Sequence, residues 1–206
     1  MKLDDIVEPQ RIDEINLKQA IAAGLIGASS LSPKTTSAEA LPPPPKPAVV
    51  QQQQTPAQTQ AKKEEAEAQD YVDAILANYK VTPKFAEHVV KVADKYSYPD
   101  FPTTKQVLAV IGVESKFKPH AMSKLRHDPA MGLMQVRAQN WHIKPHLLLK
   151  PEINIKHGVQ ILRRYYEKLG SEAGALQAYN IGITRYRHGH RQPRYLHKVK
   201  EELAKF

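Results

Sequence analysis

The chain has 206 residues, a formal net charge of +9 and no cysteine. This length allows one domain with an extension or two small ones, and the missing thiols exclude a disulfide framework, a thiolate metal site and a cysteine nucleophile. The charge is uneven: residues 1–70 hold 7 Lys+Arg and 10 Asp+Glu, while residues 71–206 hold 23 and 11, so the second part should be drawn to a polyanion such as nucleic acid, anionic lipid or an anionic envelope polymer.

Residues 1–19 are polar and mixed in charge, and Ala20 to Leu31 is weakly apolar. That run is too short for a membrane span, which needs about 20 residues. Ala38-Glu39-Ala40 supplies the small-residue pattern of a signal-peptidase site. The segment before it carries Asp4, Asp5, Glu8, Asp13 and Glu14 against Lys2, Arg11 and Lys18, where an export signal should be positive. Residues 1–40 therefore read as a leader, either an export signal or a docking segment. Residues 41–69 read as a linker. Pro42 to Pro45 and Pro47 favour extended polyproline II, and the Gln/Ala/Glu/Lys stretch after them is expected to be disordered or partly helical.

From Asp70 to the end the pattern is helical. Tyr71, Ile75, Leu76 and Tyr79 share one face, and Phe85, Val89, Val92 and Ala93 share the next, after a Thr82-Pro83 helix start. Thr103 or Thr104 caps a helix through Val107, Leu108, Ile111 and Gly112. A long helix carries Ile153, Ile155, Val159, Ile161, Leu162 and Tyr165 and stops before Gly170. Ala173 to Tyr179 and Tyr195 to Leu203 complete the set. No run of alternating strands stands out, and residues 115–140 read as irregular. The expected fold is mainly α, a helical domain over 70–206 behind a disordered leader and linker.

Chemistry concentrates at Glu114, one carboxylate at the end of an apolar helix. Desolvation penalises its charged form and raises its pKa, and the negative end of the helix dipole acts in the same direction. Such a group can stay protonated near neutral pH and give its proton to a leaving group. The other acids after Glu114 are Asp128, Glu152, Glu167, Glu172, Glu201 and Glu202, and only Asp128 falls in the nearby loop. His127-Asp128-Pro129 reads as a turn.

Four segments resemble, in order, the SLT-type lytic transglycosylases, relatives of goose-type lysozyme. They are Glu114-Ser115-x-Phe117-x-Pro119-x-Ala121-x-Ser123, Gly132-Leu133-Met134-Gln135-Val136, Pro151-x-x-Asn154-x-x-x-Gly158, and Ala178-Tyr179-Asn180-x-Gly182 with Gly189 and Tyr195 beyond. The resemblance covers residues 104–199. One departure lies between Ser123 and Gly132, where KLRHDPAM is longer and more basic than usual and Ala130 replaces a common glycine.

The resemblance implies a lysozyme-like α bundle that cleaves the β-1,4 bond from N-acetylmuramic acid to N-acetylglucosamine in peptidoglycan. It implies Glu114 as single general acid and base, and a 1,6-anhydro sugar as product. Tyr179 would hydrogen-bond the catalytic carboxylate. Asn180 and Asn154 would contact sugar or fix loops, Ser123 would touch substrate, and Gln135 and Met134 would line the groove. Phe117 reads as core, and Trp141 as either a sugar platform or core. Hydrolysis in lysozyme style would need a second group, for which Asp128 is the candidate. Peptidoglycan is the expected partner in the periplasm or cell envelope, or from a virion. The acidic leader leaves room for docking to a phage or secretion apparatus. No cofactor, metal or nucleic-acid partner is expected: Pro145 interrupts the His142/His146 pair, and His188-x-His190 sits in a basic loop from Arg185 to Arg194 with no zinc-protease glutamate.

Overall fold

The computed structural model describes residues 56–206, with side chains from Thr59 onward; the leader and residues 41–55 of the expected linker lie outside the described residues. Helix α1 spans Pro56–Asn78 and so takes in the rest of the stretch read as linker. Its face of Tyr71, Val72 and Ile75 is buried against α2, Pro83–Tyr96. The start of α2 is fixed as expected: Thr82 accepts from the Phe85 amide and Pro83 occupies the first turn, where its missing N–H costs nothing.

Helix α3, Thr104–Ser115, is the centre of the fold. Thr103, rather than Thr104, is its cap, in a reciprocal capping box with Gln106. Val107, Leu108, Ala109, Val110 and Ile111 are consecutive and fully buried, so this helix is apolar on every side and must be wrapped. It packs against α2 and against α7, Pro193–Leu203. The remaining helices are α4, Pro151–Leu169, which stops at left-handed Gly170, α5, Glu172–Ile181, and the short α6, Ile183–Arg187. Helix α4 packs on α2 and α5, and α5 on α6 and α7.

The mainly α reading holds, with one small addition. In the segment read as irregular, Ala130–Met131 (β1) pairs antiparallel with Val136–Arg137 (β2), and two 3-10 turns follow at Gln139–Trp141 and Pro145–Leu149. Two-residue strands leave too short an alternation to be seen in sequence. Among the described residues, no helix is long and apolar enough to cross a membrane.

Candidate active site

Helix α3 ends abruptly just after Glu114. Lys116 and Phe117 both take left-handed backbone, at φ 53° and 58°. This conformation is unfavourable for residues with a Cβ. Burial of the Phe117 ring offsets the cost: it is fully buried, 4.6 Å from the Tyr79 ring. The turn leads the chain away and leaves the Glu114 side chain facing a cleft of about 660 Å³. Phe117 is core, as expected.

Glu114 is half-buried, and its Oε1 accepts a 2.7 Å hydrogen bond from the Tyr195 hydroxyl of α7. Burial pushes its carboxyl up to about 7, against the opposing pull of the Tyr195 bond and the nearby Lys198 charge. Tyr195 and Tyr179 are in turn raised well above the usual phenol range, first by burial and then by the neighbouring Glu114 charge. Both phenols therefore stay protonated and able to donate.

The expected bond from Tyr179 to Glu114 is not made. The Tyr179 hydroxyl donates instead to the Met134 carbonyl at 2.7 Å, and Tyr195 holds the carboxylate. Tyr179 still lines the cleft with Glu114, Ser123, Gln135 and Asn180. Both tyrosines lie in the segments that carried the resemblance. Choosing between their hydroxyls required knowing that α7 packs beside α3, which no local pattern reveals.

Two other expectations are corrected. Met134 does not line the groove: its side chain is fully buried and lies against Gly158, where an added Cβ would sit 2.4 Å from Sδ and 2.8 Å from the Met134 Cβ. Asn154 does not reach substrate either. It is fully buried, donates from Nδ2 to the Met131 and Leu148 carbonyls at 2.7 and 2.8 Å, and accepts from the Met134 amide at 2.7 Å. Every polar atom of the amide is used on backbone, so it fixes the loop, the other half of what was expected of it. Gly132 completes this junction. It has φ +76°, and a Cβ there would stand 2.2 Å from the Leu148 carbonyl oxygen and 2.3 Å from Asn154 Nδ2. The second and third resemblance segments are thus one packing unit, the Gly132–Gln135 turn seated on the first turns of α4.

Ser123 and Gln135 line the cleft while bracing its wall. The Ser123 hydroxyl accepts from the Ala130 amide at 2.9 Å, and Gln135 Nε2 donates to the Ala121 and Gly132 carbonyls at 3.1 and 3.0 Å. Ser115 is buried and donates to the Ile111 carbonyl within its own helix. Trp141 is half-buried, lines the cleft and lies 6.2 Å from the Tyr165 ring. Asp128 is turned into its own loop. It is buried, accepts from the Gln139 amide and pairs with Arg137 at 2.9 Å, and it does not line the cleft.

The family described as Transglycosylase SLT domain matches residues 94–200. Among solved structures, the 70 kDa soluble lytic transglycosylase SLT70 from Escherichia coli is similar over 73% of this chain and 26% of its own, at 20% identity and a TM-score of 0.42. The complex of the 70-kDa soluble lytic transglycosylase with bulgecin A is similar over 74% of this chain and 28% of its own, at 21% identity and a TM-score of 0.42. The chain spans about a quarter of the length of these structures. No curated protein matches it.

Proposed function

Because the chain belongs to the transglycosylase SLT family, we propose that it cleaves the N-acetylmuramic acid–β-1,4–N-acetylglucosamine bond of peptidoglycan by intramolecular transfer, with Glu114 as the single acid and base. The observation that carries this reading is Glu114 itself, the one carboxylate lining the cleft among the described residues, raised to about 7 by burial.

Glu114 gives its proton to the glycosidic oxygen as the bond from that oxygen to the muramoyl C1 breaks, and the bonding pair leaves with the N-acetylglucosamine hydroxyl. The resulting carboxylate then takes the proton of the muramoyl 6-hydroxyl while its oxygen bonds to C1. A 1,6-anhydro ring forms, Glu114 is again protonated, and no water is consumed. A carboxyl poised near neutral pH serves both half-reactions, since neither its protonated nor its ionised form is far out of reach. Tyr195 keeps the carboxyl pointed at the bond and stabilises its anion between the two transfers.

A hydrolytic course would need a second group to activate water. The pairing of Asp128 with Arg137 and the Gln139 amide speaks against its use for that purpose. The inferred place of action is the cell envelope, reached by export or as part of a secretion apparatus or phage particle. Recovery of envelope protein beginning at Leu41 would favour export with cleavage after Ala40.

Digestion of purified peptidoglycan by the full chain and by Glu114→Gln, with mass spectrometry of the new ends, tests the reaction. Anhydromuramoyl ends from wild type alone are expected. Reducing muramoyl ends from wild type would replace the reading with hydrolysis, and intact glycan would overturn it.

A further inference from the structure

Arg163 and Arg164 are neighbours on α4 with opposite surroundings. Arg163 pairs with Asp100 at 2.6 Å and with Glu167 at 2.8 Å. Arg164 is exposed and has no acidic partner among the described residues. Its guanidinium lies 5.7 Å from the ring centroid of Trp141, which lines the cleft. Lys168, one turn further along α4, and Arg187, at the end of α6, are exposed and equally without an acid. The three cations feel one another: partial desolvation, and then the charges of Arg164 and Arg187, hold the Lys168 ammonium below its usual range. The nearest acids in sequence are engaged elsewhere, Glu167 on Arg163 and Glu172 on Gln106 Nε2 at 2.8 Å. Like charges one turn apart on a helix repel, and here a third joins them from a second helix. An anion resting among them removes that repulsion.

We infer that Arg164, Lys168 and Arg187 form a docking site beside the cleft for a phosphodiester-linked envelope polymer attached to the glycan strand. This rests on the proposed peptidoglycan cleavage, which puts such a strand in the adjoining groove. Phosphodiesters spaced along a chain meet separate cations at once, where a lone carboxylate is satisfied by one guanidinium fork. Residues 71–206, with 23 Lys+Arg against 11 Asp+Glu, draw the polymer in at longer range. The contacts are exposed, so each is worth about threefold in affinity. Affinity should fall steeply with salt as counterions are released.

The test measures binding of the full chain carrying Glu114→Gln, which leaves the wall uncut, to insoluble wall bearing phosphodiester polymer and to the same wall stripped of phosphodiesters by hydrofluoric acid. The intact wall should bind about thirtyfold more tightly. Adding Arg164→Ala, Lys168→Ala and Arg187→Ala together should erase that ratio, Arg164→Lys should keep most of it, and Lys91→Ala on α2 should keep all of it. Because its cations no longer repel, the triple variant should melt no lower than its parent; a lower melting temperature would assign the cluster to the fold and overturn the site. Equal binding to both walls, or tighter binding to duplex DNA or anionic vesicles than to the intact wall, also overturns it. The reaction is judged separately, with Glu114 in place. Anhydro ends from the stripped wall without any phosphate preference in binding leave the reaction standing and remove the docking site. No ends from either wall overturn the reaction, while phosphate-dependent binding by the same chain keeps the docking site.

Discussion

Glu114 and Tyr195 form the bond on which the pH behaviour of the site depends. The carboxyl is raised from 4.5 to about 7 by burial, so the folded protein holds its proton more tightly than the unfolded chain between those values. Stability from this group is complete below pH 4.5 and is lost as pH rises through 7. The loss is at most about 3 kcal/mol by the shift alone, less whatever the water in the open cleft screens. Glu114→Gln should therefore melt above wild type at pH 8, with the gap closing by pH 4, in thermal unfolding followed by circular dichroism. Activity should fall along an alkaline limb near pH 7 in kcat/KM, because the acid must be protonated to begin. Tyr195→Phe removes a hydrogen bond that favours the carboxylate, so that limb should move to higher pH and kcat should drop about tenfold as orientation is lost. A purely structural tyrosine would lower the melting temperature and leave the limb in place.

At the scale of elements, the decisive joint is the Gly132–Gln135 turn on α4. Asn154 supplies three hydrogen bonds to buried backbone groups. Asn154→Ala would leave two buried carbonyls and one amide unpartnered, at a cost of about 2–4 kcal/mol in chemical denaturation. A loss under about 1 kcal/mol would mean that the loop can find other partners. Gly158→Ala acts on the same joint from the other side. Its methyl would press on the Met134 Cβ, which cannot swing away as the thioether can, and overpacking of this kind costs about 1–3 kcal/mol. Because the Met134 carbonyl also receives the Tyr179 hydroxyl, either change should lower activity along with stability.

For the whole described unit, α7 is what closes the site. It brings Tyr195 to Glu114, buries Val199 beside α3, and sets Glu202 against the hydroxyl of Tyr79 just beyond α1. Glu202 also pairs with Lys205. The last helix is therefore tied to the first and the central ones at once. Removal of residues 193–206 should abolish a cooperative unfolding transition and expose α3, seen as binding of a hydrophobic dye. A truncated chain that still melted cooperatively would show that α3 needs less cover than its five consecutive buried apolar residues imply.

Much of this was legible in the residues. The Thr82-Pro83 start, the threonine cap of α3, the stop at Gly170 and the stripes of α2 and α4 follow from local hydrogen bonding and the 3.6-residue period, which neighbours in sequence can encode. Glu114 stood out because a carboxylate at the end of an apolar run is costly to desolvate, and that cost is itself what tunes an acid for proton transfer. What stayed hidden depended on residues far apart in sequence. Tyr179 and Tyr195 are both tyrosines in matching segments, and only the approach of α7 to α3 gives the carboxylate to Tyr195. Met134 falls in the segment read as irregular and Asn154 is a polar residue in the first turn of a helix, and only the docking of the Gly132–Gln135 turn on α4 buries them together. The sequence by itself determined the helices and the acid, because short-range geometry and desolvation fix them. The tertiary structure decided which hydroxyl, amide and guanidinium meet the cleft, because those contacts exist only once α3, α4, α6 and α7 have packed.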